Sequence, residues 1–135
     1  MWWSCGEHFD GAVGDYIGFV YLIENLDTGR KYVGKKRFKF SRAKKVRGRK
    51  RRKRVHFKSD WETYWGSNRE LLKDVRKLGE GRFRRSILHM CRTRGEMTWL
   101  ELKEQVERDV LRKPGEYYNS FVGGKIHRSH LPEEG

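Results

Sequence analysis

Gly18-Phe-Val-Tyr-Leu-Ile-Glu-Asn-Leu-Asp-Thr-Gly-Arg-Lys-Tyr-Val-Gly34 is the stretch that decides the fold. Ile17 to Ile23 is dense in β-branched and aromatic residues, Asn25 to Gly29 interrupts the run, and Lys31, Tyr32 and Val33 resume it. This pattern predicts a β-hairpin. Side chains alternate along a strand, so Phe19, Tyr21 and Ile23 share one face and Val20 and Leu22 the other. Across an antiparallel pair Tyr32 returns beside Tyr21, which sets two phenols side by side.

Immediately after the hairpin the composition changes. From Arg30 to Lys58 there are 17 of the chain's 32 Lys and Arg residues and no Asp or Glu, so the remainder holds 15 basic against 18 acidic residues. The formal charge of +14 is therefore one local feature laid on a near-neutral domain. Such a block implies a polyanion partner. Its densest part, Arg42 to Arg54, has ten basic residues in thirteen. Like charges at i,i+4 repel on a helix, so this part is expected to stay poorly formed until phosphates neutralise it. Lys35, Lys36, Arg37, Lys44, Lys45, Arg47, Arg49, Lys50, Arg51, Arg52, Lys53 and Arg54 are the candidate DNA-binding residues. The same composition also suits a nuclear or nucleolar address or a ribosomal-protein-like extension, and either would still bind phosphate.

The 135 residues fit a single domain, 1–135, with one core. Residues 1–15 show no period and read as an irregular lead-in in which Trp2, Trp3 and Phe9 pack as an apolar cover. Beyond the basic segment, 35–58, Arg69 to Leu78 predicts an amphipathic helix stopped by Gly79, with Ser67 or Asn68 as cap. Phe83 to Cys91 predicts a third strand. Glu96 to Leu111 predicts the longest helix, with Trp99, Leu102, Val106 and Val110 on one stripe and Pro114-Gly115 after it. Residues 123–135 form a polar tail. The expected class is α+β: a small three-stranded antiparallel sheet flanked by helices, with a basic insertion after the first hairpin. Two cysteines make no disulfide framework, and no apolar run reaches the ~18 residues of a membrane span, so a soluble cytoplasmic protein is expected.

Phe19-Val20-Tyr21, ten residues, then Tyr32-Val33-Gly34 resembles the signature hairpin of the GIY-YIG nuclease family. The resemblance covers about Gly18 to Phe121. With Gly34-Lys35-Lys36, Trp61, Tyr64, Gly66 and Ser67 the chain is most similar to the small phage-encoded, homing-endonuclease-like branch. Phe19 replaces the glycine that opens the family motif, and valines stand at its middle positions. Neither change removes a reactive group. The resemblance implies a metal-dependent endonuclease acting on double-stranded DNA, in the host cytoplasm if phage-encoded.

Hydrolysing a phosphodiester needs an activated water, a cation on the phosphate oxygens and a donor for transition-state charge. The resemblance assigns these roles. Tyr21 matches the family's general base and Tyr32 its second tyrosine, while Gly34 matches the motif glycine. The family arginine lands on Arg42 by spacing, although the chemistry equally admits Arg37. Glu101 matches the metal-binding glutamate, with Glu104 its nearest competitor, and would hold Mg²⁺ or Mn²⁺ with waters and substrate oxygens. Asn119, in Tyr118-Asn119, matches an orienting asparagine. A phenol near pKa ~10 is a poor base at neutral pH, so nearby cations must favour its phenolate; Lys35, Lys36 and Arg42 are the candidates.

Two alternatives remain open. Cys5-x2-His8 and His127-x2-His130 have zinc-like pair spacing, although terminal histidines are more often solvated. A non-catalytic basic module for DNA or RNA would keep the fold without using the site. The target, nicking against double-strand cutting, the oligomeric state and any protein partner that supplies specificity are not written in the sequence. Neutralising Arg49 to Arg54 should flatten the plot of log affinity against log salt by several units, at about 0.9 for each duplex phosphate that the protein no longer neutralises. An unchanged slope in a filter-binding titration would mean that the stretch serves another partner.

Overall fold

The computed structural model of the chain describes residues 1–44, 47–48, 53–123 and 128–132, with 41–44 and 53–56 described by backbone alone. The hairpin forms as expected. Strand β3 (Gly18–Asn25) pairs antiparallel with β4 (Lys31–Arg37), and Tyr21 lies opposite Gly34. The turn is set by Asn25, whose Oδ1 accepts from the Asp27 and Thr28 amides at 3.0 and 3.2 Å. On its other edge β3 pairs antiparallel with β7 (Phe83–Cys91). That ladder slips by one residue between Val20 and Tyr21, where β7 carries Leu88 as an extra residue beside the site.

The sheet is larger than the three antiparallel strands expected. It has five strands and is mixed, because β1 (Trp2–Ser4) adds parallel to β7 and β2 (Glu7–His8) adds antiparallel to β1. The lead-in is therefore partly strand. Pieces of three and two residues are too short to show an alternating period, and what seats β1 is packing rather than pattern. Trp2 is buried against Phe19 and Tyr21, ring centroids 4.9 and 5.6 Å away, and its Nε1 donates to the Trp61 carbonyl at 3.0 Å.

The basic segment also has structure. Strands β5 (Lys39–Lys44) and β6 (Lys53–Lys58) form a separate antiparallel ribbon; of the stretch Arg42 to Arg54 that the sequence predicts to be poorly formed, 42–44 and 53–54 are paired strand. At its base Phe40 and Phe57 stack at 5.6 Å, and Phe38, buried among Phe19 and Trp61, ties it to the core. These aromatic contacts outweigh the repulsion that charge counting alone emphasises. Lys45, Arg49, Lys50, Arg51 and Arg52 lie outside the described residues.

Helix α1 (Arg69–Leu78) has the expected bounds, with Asn68 Oδ1 accepting from the Leu71 amide at 2.9 Å. Helix α2 runs Arg94–Glu107, capped by Thr93, and its inward face differs from the stripe expected. Met97, Leu100 and Gln105 are buried while Val106 is exposed. Gln105 takes an inner position because its amide donates to the Val33 carbonyl at 3.1 Å, a reason that hydrophobic spacing does not encode. The sheet thus separates two cores. Phe19, Tyr21 and Ile23 pack with α1 and Trp61, and Val20, Leu22 and Val33 pack with α2. Among the described residues no helix is long and apolar enough to cross a membrane.

Because Trp2 closes the first of these cores, Trp2→Ala should cost about 3–5 kcal/mol in urea denaturation. A loss under about 1 kcal/mol, near the cost of an ordinary surface substitution, would show that β1 is an ornament on the sheet rather than a part of it.

Candidate active site

The first requirement of the site is a place where the two faces of the sheet meet. Tyr21 and Tyr32 project from the α1 face, whereas Lys35 projects from the α2 face of edge strand β4. Gly34 lies between them. A Cβ there would stand 2.6 Å from Tyr21 Cζ and closer still to its hydroxyl, so the missing side chain is the space that the Tyr21 ring occupies. The Tyr21 and Tyr32 rings lie 6.1 Å apart.

Around this notch Tyr21, Tyr32, Lys35, Tyr64, Glu101 and Asn119 line one cleft of about 400 Å³. Five of these six are residues that the sequence singles out for chemistry or DNA contact. Tyr21 is 1% exposed. Burial, then the neighbouring Tyr32, Tyr64 and Glu101, push its hydroxyl well above the ordinary tyrosine value. Tyr64, hydrogen-bonded to it, adds to that direction. Burial raises Tyr32 too, against a hydrogen bond with Ser67.

Glu101 comes from the middle of α2. Burial raises its carboxyl above the usual range, and Lys35 pulls it back. The Lys35 ammonium stands 3.8 Å from Oε1, beyond hydrogen-bond length, and donates instead to Thr98 Oγ1 at 3.1 Å. A carboxylate with a cation near it but not bonded to it, facing an open cleft, fits a Mg²⁺ or Mn²⁺ ion that keeps most of its waters. Glu104 is already engaged by His89 at 2.8 Å and by Arg108 at 3.0 Å, whereas Glu101 lines the cleft. Among the described residues no group of three His, Cys, Asp or Glu side chains gathers. Cys5 is exposed, His8 sits edge-on to Trp3, and His127 lies outside the described residues.

Asn119 orients protein, not solvent. Its Oδ1 accepts from the Val33 amide at 3.0 Å and its Nδ2 donates to the Val33 carbonyl at 2.9 Å, so the side chain substitutes for a missing strand beside β4. With the Tyr118 amide on the Lys31 carbonyl at 2.7 Å, it fixes the strand one residue before Gly34. Arg42 lies on β5 opposite Val55, and its side chain is outside those described. Its rival Arg37 ends β4 and lines an adjoining trough, with its Nε buried and unpartnered among the described residues.

Residues 2–122 match the family model described as "Putative endonuclease segE, GIY-YIG domain". The chain belongs to the GIY-YIG family. Over 107 residues it is 31% identical to a protein of Enterobacteria phage T4 described as "Putative endonuclease segE", covering 78% of this chain and 42% of that protein. The chain thus spans less than half the length of that relative. No solved structure matches it.

Two sets of contacts behind the cleft, those of Tyr64 and Arg85, are not predicted by the sequence. Tyr64 stands over Tyr21, ring centroids 6.0 Å apart, with the Lys36 ammonium 4.1 Å from its own ring centre. Arg85, near the start of β7, is 4% exposed. Its guanidinium lies between Trp2 and Trp65, 4.6 and 4.2 Å from their rings, and donates to the Tyr64 carbonyl at 2.8 Å. The only local signal was the aromatic density around Trp61 to Trp65. Gly34→Ala should cost about 1–3 kcal/mol as an overpacked position, read as a lowered denaturation midpoint. An unmoved midpoint would refute the close packing of Tyr21 on that glycine.

Proposed function

We propose that this domain is the catalytic part of a phage-type endonuclease that hydrolyses phosphodiester bonds of double-stranded DNA with Mg²⁺ or Mn²⁺. The observation that carries the reading is the meeting of Tyr21, Tyr32, Lys35 and Glu101 in one cleft. The bound cation would polarise the scissile phosphate and lower the pKa of a water. Glu101 would hold it, as the carboxylate that lines the cleft. Tyr21 would receive the proton of the attacking water as general base. Arg42, or Arg37 beside the cleft, would clamp phosphate oxygens through its planar guanidinium. Lys35 would neutralise charge that gathers on the phosphate, and Asn119 would keep β4 from shifting under Tyr21.

The raised Tyr21 hydroxyl sets a condition on this chemistry. A buried phenol keeps its proton at neutral pH, so the base form grows as pH climbs toward the raised value. The cleavage rate should therefore rise about tenfold per pH unit through the neutral range, and Tyr21→Phe should remove that dependence. A protonated Glu101 holds no cation, so its upward shift moves the acid-side loss of activity to higher pH. Glu101→Gln keeps the shape of the side chain and should lower plasmid cleavage by about a thousandfold, since a Lewis-acid cation contributes several kcal/mol. Retention of the parental rate would sink the assignment. Binding with no cleavage under any divalent ion would leave the chain a basic nucleic-acid-binding module.

A further inference from the structure

The catalytic cleft opens at one end into a second trough of about 380 Å³, and Lys35 lines both. The second trough is walled by Lys36, Arg37 and Arg94, with Ser59 and Thr98. A third depression of about 310 Å³ shares Arg37 and Arg94 with the second and adds Lys39 and Arg92. The three hollows lie end to end, running from Glu101 past the end of β4 to the loop and first turn that begin α2.

Lys35 and Arg37 stand on the same face of β4, about 7 Å apart along the strand. Thr93, the cap of α2, separates Arg92 from Arg94 on the opposite wall. Asp60 is the acidic residue among the described walls of the second and third hollows, and it is bound to Lys36 at 2.6 Å. Carboxylates elsewhere neutralise Arg30, Lys58, Arg82, Arg108 and Arg112. Among the described residues Arg37, Lys39, Arg92 and Arg94 form no ion pair. Among the described residues the remaining lining of the catalytic cleft differs: Ser67, Asn68, Asn119, Ser120 and Phe121 are all neutral.

We infer that the trough carries the sugar–phosphate backbone of the cut DNA strand on one side of the scissile bond only, with Arg92 and Arg94 as its outer phosphate contacts. The inference rests on the endonuclease reading for the position of the scissile bond. It adds two arginines outside the basic block and makes the grip on the substrate lopsided. A row of unneutralised cations leading straight out of a phosphodiester cleft suits a polymer of evenly spaced phosphates. Phosphate contacts of this kind position the strand without reading its bases.

Two measurements test it. The first compares Arg92→Gln/Arg94→Gln with Lys73→Gln/Lys77→Gln, a pair that removes equal charge from the exposed face of α1, for binding to duplex DNA without divalent ions. The trough pair should lower the salt slope by about 1.8, as expected for two phosphate contacts, and the α1 pair by much less. Equal changes in the two pairs would overturn the track. The second places single uncharged methylphosphonate linkages on either side of a mapped cut site. Cleavage by the parental enzyme should slow for linkages on one side alone, and the trough variant should be indifferent to those same linkages. Equal sensitivity on both sides would overturn the one-sided path. A trough-specific salt slope without cleavage would remove the endonuclease reading and leave the track standing, whereas cleavage with equal slopes would do the reverse.

Discussion

Everything at the site depends on a phenol lying where an edge strand has no side chain. Tyr21 reaches across Gly34, and its hydroxyl is also 3.4 Å from where a Cβ of Gly66 would be. Two glycines therefore leave room for the phenol, and Gly66 reaches its position with φ +86, a conformation that side-chain-bearing residues rarely adopt. The confinement has an electrostatic result. A hydroxyl so enclosed is held neutral by burial, so any chemistry it performs awaits a change in the charge around it.

A second constraint keeps this packing in place. Among the described residues strand β4 has no neighbouring strand on its outer edge, which ordinarily leaves amides and carbonyls free. Asn119, Gln105 and the 116–118 backbone take up those groups at Lys31 and Val33, so the strand is fixed up to the residue before Gly34. On the opposite side Arg85 holds the Tyr64 carbonyl from below. Burial pulls that guanidinium below its ordinary value, the sign that removing it from water is unfavourable. Two indole faces and one carbonyl compensate in place of a carboxylate.

Much of this could be read from the residues. The hairpin was legible because β-branched density broken by Asn-x-x-x-Gly is a local signal, and α1 because Asn68, its apolar spacing and Gly79 agree. Tyr21, Tyr32 and Glu101 were found through a resemblance, and the structure brings them to one cleft. What escaped was of another kind. Strand β1 is held by contacts between Trp2 and residues some sixty positions away, and no local window contains both partners. Gln105 and Arg85 are polar residues buried for their hydrogen bonds, and a hydrophobic pattern assigns both to the surface. The ribbon was obscured because repulsion was weighed for a helix, in which charges four apart face each other, while Phe40 and Phe57 favoured strands.

The order of strands also governs when a working site can exist. The first strand lies beside β7, with Trp2 against Arg85, and the outer edge of β4 is closed by Gln105, the 116–118 backbone and Asn119. Pairings this distant in sequence make the topology slow to assemble, since chain closure must precede the contacts that reward it. During synthesis, from the amino end onward, the whole basic ribbon is made before either β7 or Asn119. A nascent chain of this kind carries its charge well before it carries an assembled cleft. Attraction to polyanions precedes the capacity to act on them.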